Sequence, residues 1–263
     1  MASSETASRD ADPLRLTVGT GTEARNLAVR IRPGAGTPIV WLGGFRSDMA
    51  ATKAMALDAW AAGEGRPLVR FDYTGHGESG GRFEDATIST WLEDACAVLE
   101  RFVAAPAILV GSSMGGWIAC LAALALRQGN APPPAGLVLI APALDFTEDL
   151  MWAAFPPEVR AQLERDGVWH RRTPYAPEPD PIRMALIEDG RRHRLLTGPL
   201  DPGCPVHILQ GMNDPDVPWG HALRTVERLP AAGTLLTLVK DGDHRLSRPE
   251  DIALLLRAVA AIA

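Results

Sequence analysis

Six short apolar runs, at residues 39–43, 68–72, 107–111, 137–141, 206–210 and 235–240, punctuate the chain, and longer helix-periodic stretches lie between most of them. Three hold no polar residue at all: Ile39-Val40-Trp41-Leu42, Ala107-Ile108-Leu109-Val110 and Leu137-Val138-Leu139-Ile140. A strand wetted on one side alternates apolar with polar, whereas a strand covered on both faces has no reason to alternate. The runs therefore predict a mostly parallel sheet between two helical layers. Residues 49–62, 90–103, 114–127, 220–229 and 249–262 supply the helices. Residues 14–18 and 27–31 alternate better and predict an antiparallel hairpin at the sheet edge, which brings the sheet to about eight strands.

The alternation of strand and helix fails between residues 146 and 204. There Pro-rich stretches (Phe155-Pro156-Pro157 and residues 173–181) surround two helical pieces, 158–166 and 182–193, and nothing reads as a strand. An insertion at the ligand end of an α/β sheet is expected to form a helical cap over the site. The expected organisation is a disordered tail over residues 1–12 and a single domain over 13–263 that carries this cap. With 263 residues, 46% of them apolar, the chain can bury one large core. A formal charge of −6 repels phosphate backbones, so nucleic acid is not an expected partner. The first dozen residues lack both an apolar signal core and the Arg-rich composition of a transit peptide, and no apolar run is long enough to span a bilayer. Cys96, Cys120 and Cys204 are scattered and lack C-x-x-C spacing, which argues against a disulfide framework or a zinc site. The expectation is a cytoplasmic protein that uses no metal and no cofactor.

Gly111-Ser112-Ser113-Met114-Gly115-Gly116 follows one apolar run and opens a helical stretch. That is the setting of the G-x-S-x-G turn, in which a sharp strand-to-helix corner lifts a serine hydroxyl above the sheet and the helix start offers N–H groups to a developing oxyanion. Glycines are needed at positions 111 and 115 because side chains there would meet neighbouring backbone. A serine is a weak nucleophile, so it needs a base, and the base needs an orienting carboxylate. Asp214, in Gly211-Met212-Asn213-Asp214, follows the run at 206–210, and His244, in Gly242-Asp243-His244, follows the run at 235–240. Both stand at the ends of parallel strands where ligands collect, in the chain order Ser, Asp, His. Asp216 competes with Asp214 but lies farther from the strand end, and Asp145, just past the run at 137–141, is another candidate acid.

Acyl transfer also needs two N–H donors for the oxygen that gains charge. One is expected from Met114 and the other from Phe45, in the turn Gly43-Gly44-Phe45-Arg46 after the first parallel run. His76, in the loop Asp72-Tyr73-Thr74-Gly75-His76-Gly77-Glu78-Ser79, reads as structural. His170, His193, His207 and His221 have no placement that suits catalysis. Trp152, Phe155, Trp169 and Tyr175 in the insertion, with Trp219 beside the acid turn, are candidate linings of an acyl pocket.

Taken together, Gly43-Gly44-Phe45, the loop 70–79, Gly111-Ser112-Ser113-Met114-Gly115-Gly116-Trp117, Gly211-Met212-Asn213-Asp214 with Val217-Pro218-Trp219, Gly167-Val168-Trp169 and Asp243-His244-Arg245 resemble an α/β-hydrolase subfamily. It is the one that contains a mitochondrial acyl-protein thioesterase also active on acyl glucuronides. The resemblance implies an α/β-hydrolase fold, a Ser113–Asp214–His244 triad, an acyl-enzyme intermediate and an acyl ester or acylated thiol as substrate. The Ala-, Arg- and Pro-rich composition and the missing transit peptide depart from that relative and suit a bacterial source, so its location does not carry over. Two other functions stay open at this level: a hydrolase of C–C or amide bonds on the same fold, and a catalytically silent binding protein.

Overall fold

The computed structural model describes residues 12–173 and 176–262; the expected tail, apart from Asp12, lies outside them. Its main sheet has eight strands: β1 (Leu14–Val18), β2 (Arg25–Arg32), β3 (Ile39–Leu42), β4 (Leu68–Phe71), β5 (Ile108–Ser112), β6 (Gly136–Ile140), β9 (Val206–Gly211) and β10 (Thr234–Val239). They lie in the order β1-β2-β4-β3-β5-β6-β9-β10. The β1–β2 and β2–β4 pairs are antiparallel and the other pairs parallel, so the predicted edge hairpin and parallel body both stand.

The unbroken apolar runs arise because successive side chains of one strand enter different layers. Ile39 and Trp41, Ile108 and Val110, and Val138 and Ile140 pack with Ala54, Leu57 and Ala61 of helix α1 (Thr52–Gly63) and with Leu255, Ala258 and Val259 of α7 (Pro249–Ala260). Val40 and Leu42, Leu109, and Leu137 and Leu139 enter the larger cluster on the other face, against α2 (Ile88–Phe102) and α3 (Met114–Gln128). Both parities of a strand are thus core positions. The remaining helix of the main body, α6 (Trp219–Arg228), turns Ala222 and Thr225 inward.

The insertion between β6 and β9 departs from its reading in one respect. Besides a π-helical turn at Thr147–Trp152, α4 (Pro157–Asp166) and α5 (Met184–Arg191), it contains an antiparallel hairpin of β7 (Val168–Thr173) and β8 (Ala176–Arg183). The helix expected from residue 182 begins at Met184, because Ile182 and Arg183 close the hairpin opposite Trp169 and Val168. Prolines had argued against a strand here. Yet Pro177, Pro179 and Pro181 stand at every second residue of β8, so their missing N–H groups fall on one edge only, the edge that faces away from β7. Gly167, at φ 74°, ends α4 and turns the chain into β7.

The insertion is stapled to the main body through α5. The Asp189 carboxylate accepts from Ser89 N at 2.7 Å and Ser89 Oγ at 2.8 Å in the first turn of α2, and Arg192 pairs with the same carboxylate. His193 Nε2 lies 2.7 Å from Ser89 Oγ, and the His193 carbonyl accepts from Trp117 Nε1 at 3.1 Å. Asp189 is buried, so its truncation strands two N–H and O–H donors that bond a charge. Asp189→Ala is expected to lower unfolding stability by about 3 kcal/mol, at about 1.5–3 kcal/mol for each hydrogen bond to a charged group; urea denaturation measures it.

Candidate active site

Ser113 occupies the corner between β5 and α3 with φ 54° and ψ −117°, a backbone that costs a residue with a side chain about 1–3 kcal/mol. The corner is held from three directions. Ser113 N donates to the Ile140 carbonyl at 2.8 Å, and the Ser113 carbonyl accepts from Gly116 N at 2.9 Å and Ala143 N at 3.1 Å. The glycines are required as expected: a Cβ on Gly111 would stand 2.3 Å from the Gly115 carbonyl oxygen, and one on Gly115 would stand 2.1 Å from the Leu42 carbonyl oxygen. The second contact presses the start of α3 against the end of β3, where the Gly43–Arg46 turn begins.

In that turn a Cβ on Gly44 would lie 3.2 Å from the Ser112 carbonyl oxygen and 3.5 Å from Ser113 Cβ, so its backbone runs directly beside the serine. Among the described residues neither Phe45 N–H nor Met114 N–H donates to a backbone carbonyl. The Phe45 ring packs edge-on against Phe83, Trp91 and Phe146 at 4.8, 5.8 and 5.6 Å, which anchors the turn in an aromatic cluster. Phe146 belongs to the start of the insertion and also meets Trp117, in α3, at 5.6 Å. The insertion therefore reaches the turn beside Ser113.

His244 and Asp214 stand on adjacent strand ends. Asn213 N donates to the Gly242 carbonyl at 2.9 Å, and a Cβ on Gly211 would sit 2.4 Å from the same oxygen, so the loops after β9 and β10 touch. His244 Nδ1 lies 2.8 Å from Asp214 Oδ2, with the Asp214 side chain fully buried and His244 partly exposed. Asp214 Oδ1 accepts from Asp216 N at 2.9 Å and Val217 N at 2.8 Å. The Asp216 side chain is exposed and its main chain serves the turn, which settles the geometry between the two candidates. The His244 loop is closed by Leu246 N donating to Asp243 Oδ1 at 2.9 Å and by Arg248 bridging Asp241 and Asp251. Lys53, from α1, donates to the carbonyl of Arg245 next to His244; burial lowers its ammonium to about 8.

Asp145 has a different task. Its fully buried carboxylate accepts from Leu195 N at 2.7 Å and Leu196 N at 2.9 Å and ties the two ends of the insertion together, while burial raises its pKa. His221 Nε2 bonds the Leu144 carbonyl at 2.7 Å and His207 Nε2 bonds Thr237 Oγ1 at 2.9 Å, both in structural roles. Phe155 meets Trp152 and Trp169 edge-on, at 6.4 and 5.2 Å, and Arg191 lies over Trp152 at 4.9 Å. They form the packing of the insertion itself. Trp219 opens α6 with 39% of its surface exposed, and Tyr175 lies outside the described residues. Asp214, Asp216 and His244 are the group among the described residues whose donor atoms approach within 4.8 Å, as a cation would need, but the Asp214 oxygens already face N–H donors, which oppose a cation.

The sequence reading missed Gln210, the last residue but one of β9. It is fully buried, and its Nε2 lies 3.1 Å from Asp214 Oδ2, 3.0 Å from the Val217 carbonyl and 3.0 Å from the Gly211 carbonyl. Three surrounding acceptors fix which end of the amide points at Asp214. A glutamine near the end of the strand, four residues before the acid, was the available signal.

A strained serine at a strand-to-helix corner, backed by a histidine–carboxylate pair on the strands beyond it, defines a hydrolase of the α/β type. The chain belongs to the alpha/beta hydrolase family, whose model matches residues 33–253. It is 33% identical to the bovine (Bos taurus) mitochondrial palmitoyl-protein thioesterase ABHD10 over 235 residues, 89% of this chain and 75% of that protein, and 32% identical to the human (Homo sapiens) protein over the same shares. Among solved structures, an Agrobacterium vitis S4 protein superposes with a TM-score of 0.91 at 50% identity, covering 95% of this chain and 98% of its own. Mouse ABHD10 superposes at 0.84 with 31% identity, covering 96% and 98%.

Gln210→Leu removes the amide that faces the acid and leaves Asp214 Oδ2 with His244 alone. The expected result is a loss of about 1–3 kcal/mol in stability, as for a buried acceptor deprived of its donor, together with a fall in kcat; thermal melts and steady-state kinetics on one preparation separate the two effects.

Proposed function

We propose that the chain is a serine hydrolase of acyl esters and acyl thioesters. The observation that carries this reading is the 2.8 Å His244–Asp214 pair on the strand ends beyond a serine held at φ 54° above the sheet. Asp214 accepts a hydrogen bond from Nδ1–H, which holds that tautomer and leaves Nε2 as the base. In acylation Ser113 Oγ attacks the acyl carbon and passes its proton to His244 Nε2. The carbonyl oxygen becomes an oxyanion received by the N–H groups of Phe45 and Met114. Collapse breaks the bond to the thiol or alcohol, which leaves with the proton from His244. Water, deprotonated by the same imidazole, then attacks the acyl-enzyme, releasing the carboxylic acid and returning the proton to Ser113. None of these steps calls on a metal or a redox group.

The relatives favour an acylated thiol. The curated proteins aligned over 89% of the chain are named palmitoyl-protein thioesterases, so long-chain thioesters head the list of substrates, with esters of the same acids beside them.

Hydrolysis of short, medium and long acyl p-nitrophenyl esters and matching acyl thioesters, with wild type and Ser113→Ala in parallel, tests the reading. Wild type is expected to turn over part of the panel and Ser113→Ala to lose about 10⁴-fold or more in kcat with its melting temperature kept; a variant that retains full activity would sink the mechanism. The acid is tested separately. Asp214→Asn is expected to lower kcat about 10⁴-fold, whereas Asp145→Asn shifts stability and leaves kcat near the wild-type value.

A further inference from the structure

The geometry points to His76 as a positioning residue for the oxyanion: its imidazole accepts the N–H of the Phe45–Arg46 peptide and fixes the turn whose preceding N–H, that of Phe45, receives the developing charge. The inference rests on the acyl-transfer reading and names what holds one half of its oxyanion hole in place.

The turn does not hold itself. Ser47 N donates to the Gly44 carbonyl at 3.0 Å and closes a four-residue turn in which Arg46 sits third at φ 58°. A left-handed backbone is natural for glycine and unfavourable for arginine, so something outside the turn must compensate. Arg46 N donates to His76 Nε2 at 3.1 Å, and His76 Nδ1 lies 3.2 Å from the Thr74 carbonyl oxygen. A carbonyl only accepts, so Nδ1 carries the ring proton and Nε2 turns its lone pair to Arg46. Two partners on opposite sides thus fix the tautomer. The ring is buried, with Tyr73, Phe83 and Trp91 at 5.8, 5.0 and 5.5 Å, and burial depresses its basicity to about 4, which keeps Nε2 an acceptor at neutral pH.

The loop that carries His76 is rigid. Asp72 Oδ2 accepts from Glu78 N at 2.8 Å, Ser79 Oγ donates to the Asp72 carbonyl at 2.6 Å, and a Cβ on Gly75 would collide with the Phe83 backbone at 2.4 Å. The same loop grips the far end of the oxyanion segment, since Asp72 Oδ1 accepts from Met49 N at 2.7 Å. Residues 43–49 are therefore clamped at two amides by residues 72–79, and the clamp at Arg46 lies one peptide from the donor. Phe83 and Trp91 touch both His76 and the Phe45 ring, so imidazole and turn share one aromatic box.

The test compares His76→Phe, which keeps a ring in the box and removes both nitrogens, with His76→Gln, whose amide oxygen can take the place of Nε2. For the best ester of the panel, His76→Phe is expected to lose about 10–100-fold in kcat with KM within about twofold, the range set by a displaced donor. It should bind a trifluoromethyl ketone analogue of that ester, which forms a charged adduct with the serine, more weakly by the same factor. His76→Gln should recover most of both. Wild-type kcat in His76→Phe, or a kcat loss without loss of ketone affinity, overturns the inference. Nitrogen-15 spectra of the wild-type imidazole decide independently of how the variants fold: the Nδ1–H tautomer is expected, and an Nε2–H tautomer overturns it. Absence of Ser113-dependent turnover in the wild type overturns the acyl-transfer reading and with it the role of the turn, while the tautomer still reports the hydrogen bond.

Discussion

The close approach of α3 to β3 is the constraint on which the site depends. The Gly115 Cα lies so near the Leu42 carbonyl that no larger residue fits, and this contact sets how far the serine corner stands above the sheet. It also brings the chain leaving β3 alongside Ser113, because Gly44 follows Leu42 by two residues and its backbone runs against Ser112 and Ser113. One packing contact between two layers therefore fixes both the height of Ser113 and its distance to the turn that faces it. The strain at Ser113 is tolerable because three backbone hydrogen bonds over-determine the corner, and the free energy that maintains it comes from the apolar layers on either side.

Charge in the site is handled by the same economy of position. Asp214 is buried and is balanced by two turn amides, the Gln210 amide and the His244 ring. Acceptors that are fully engaged cannot wander, so the carboxylate has one orientation and the imidazole inherits it. Asp145 and Asp72 show the alternative use of a buried carboxylate as a clasp for loops: Asp145 accepts the N–H groups of Leu195 and Leu196, and Asp72 those of Met49 and of Glu78 in its own loop.

Most of this was legible because the strongest signals are local. The parity of buried residues along 39–42, 108–110 and 137–140 is written in unbroken apolar runs, and the corner at Ser113 in glycines whose need is steric. Asp214 and His244, singled out from strand ends and from the chain order Ser, Asp, His, do meet at 2.8 Å. The β7–β8 hairpin was not legible, because residues 168–183 carry neither an apolar run nor a regular apolar alternation; the every-second-residue spacing of Pro177, Pro179 and Pro181 is the pattern compatible with a strand there. Gln210 and the grip of His76 on Arg46 were invisible for another reason. His76 meets Arg46 across 30 residues, a pairing that no single-sequence pattern records, whereas the partners of Gln210 lie within seven residues of it and only the folded turn after β9 shows that they converge on its amide. The aromatic residues of the insertion illustrate the converse: composition shows that rings are present, while only packing shows that Phe155 meets Trp152 and Trp169 edge-on.

The direct pairing of β6 with β9, Leu137 beside Val206 through Ile140 beside Leu209, has a consequence for how such a chain diversifies. The segment between residues 141 and 205 lies outside that ladder, although its first residues support the corner, Ala143 N bonding the Ser113 carbonyl and Phe146 packing on Phe45. Its length, helices and hairpin can be exchanged over generations while the register that carries Asp214 toward His244 stays where it is. Such exchange is confined to the residues beyond Phe146, because those before it are part of what holds the turn at Ser113.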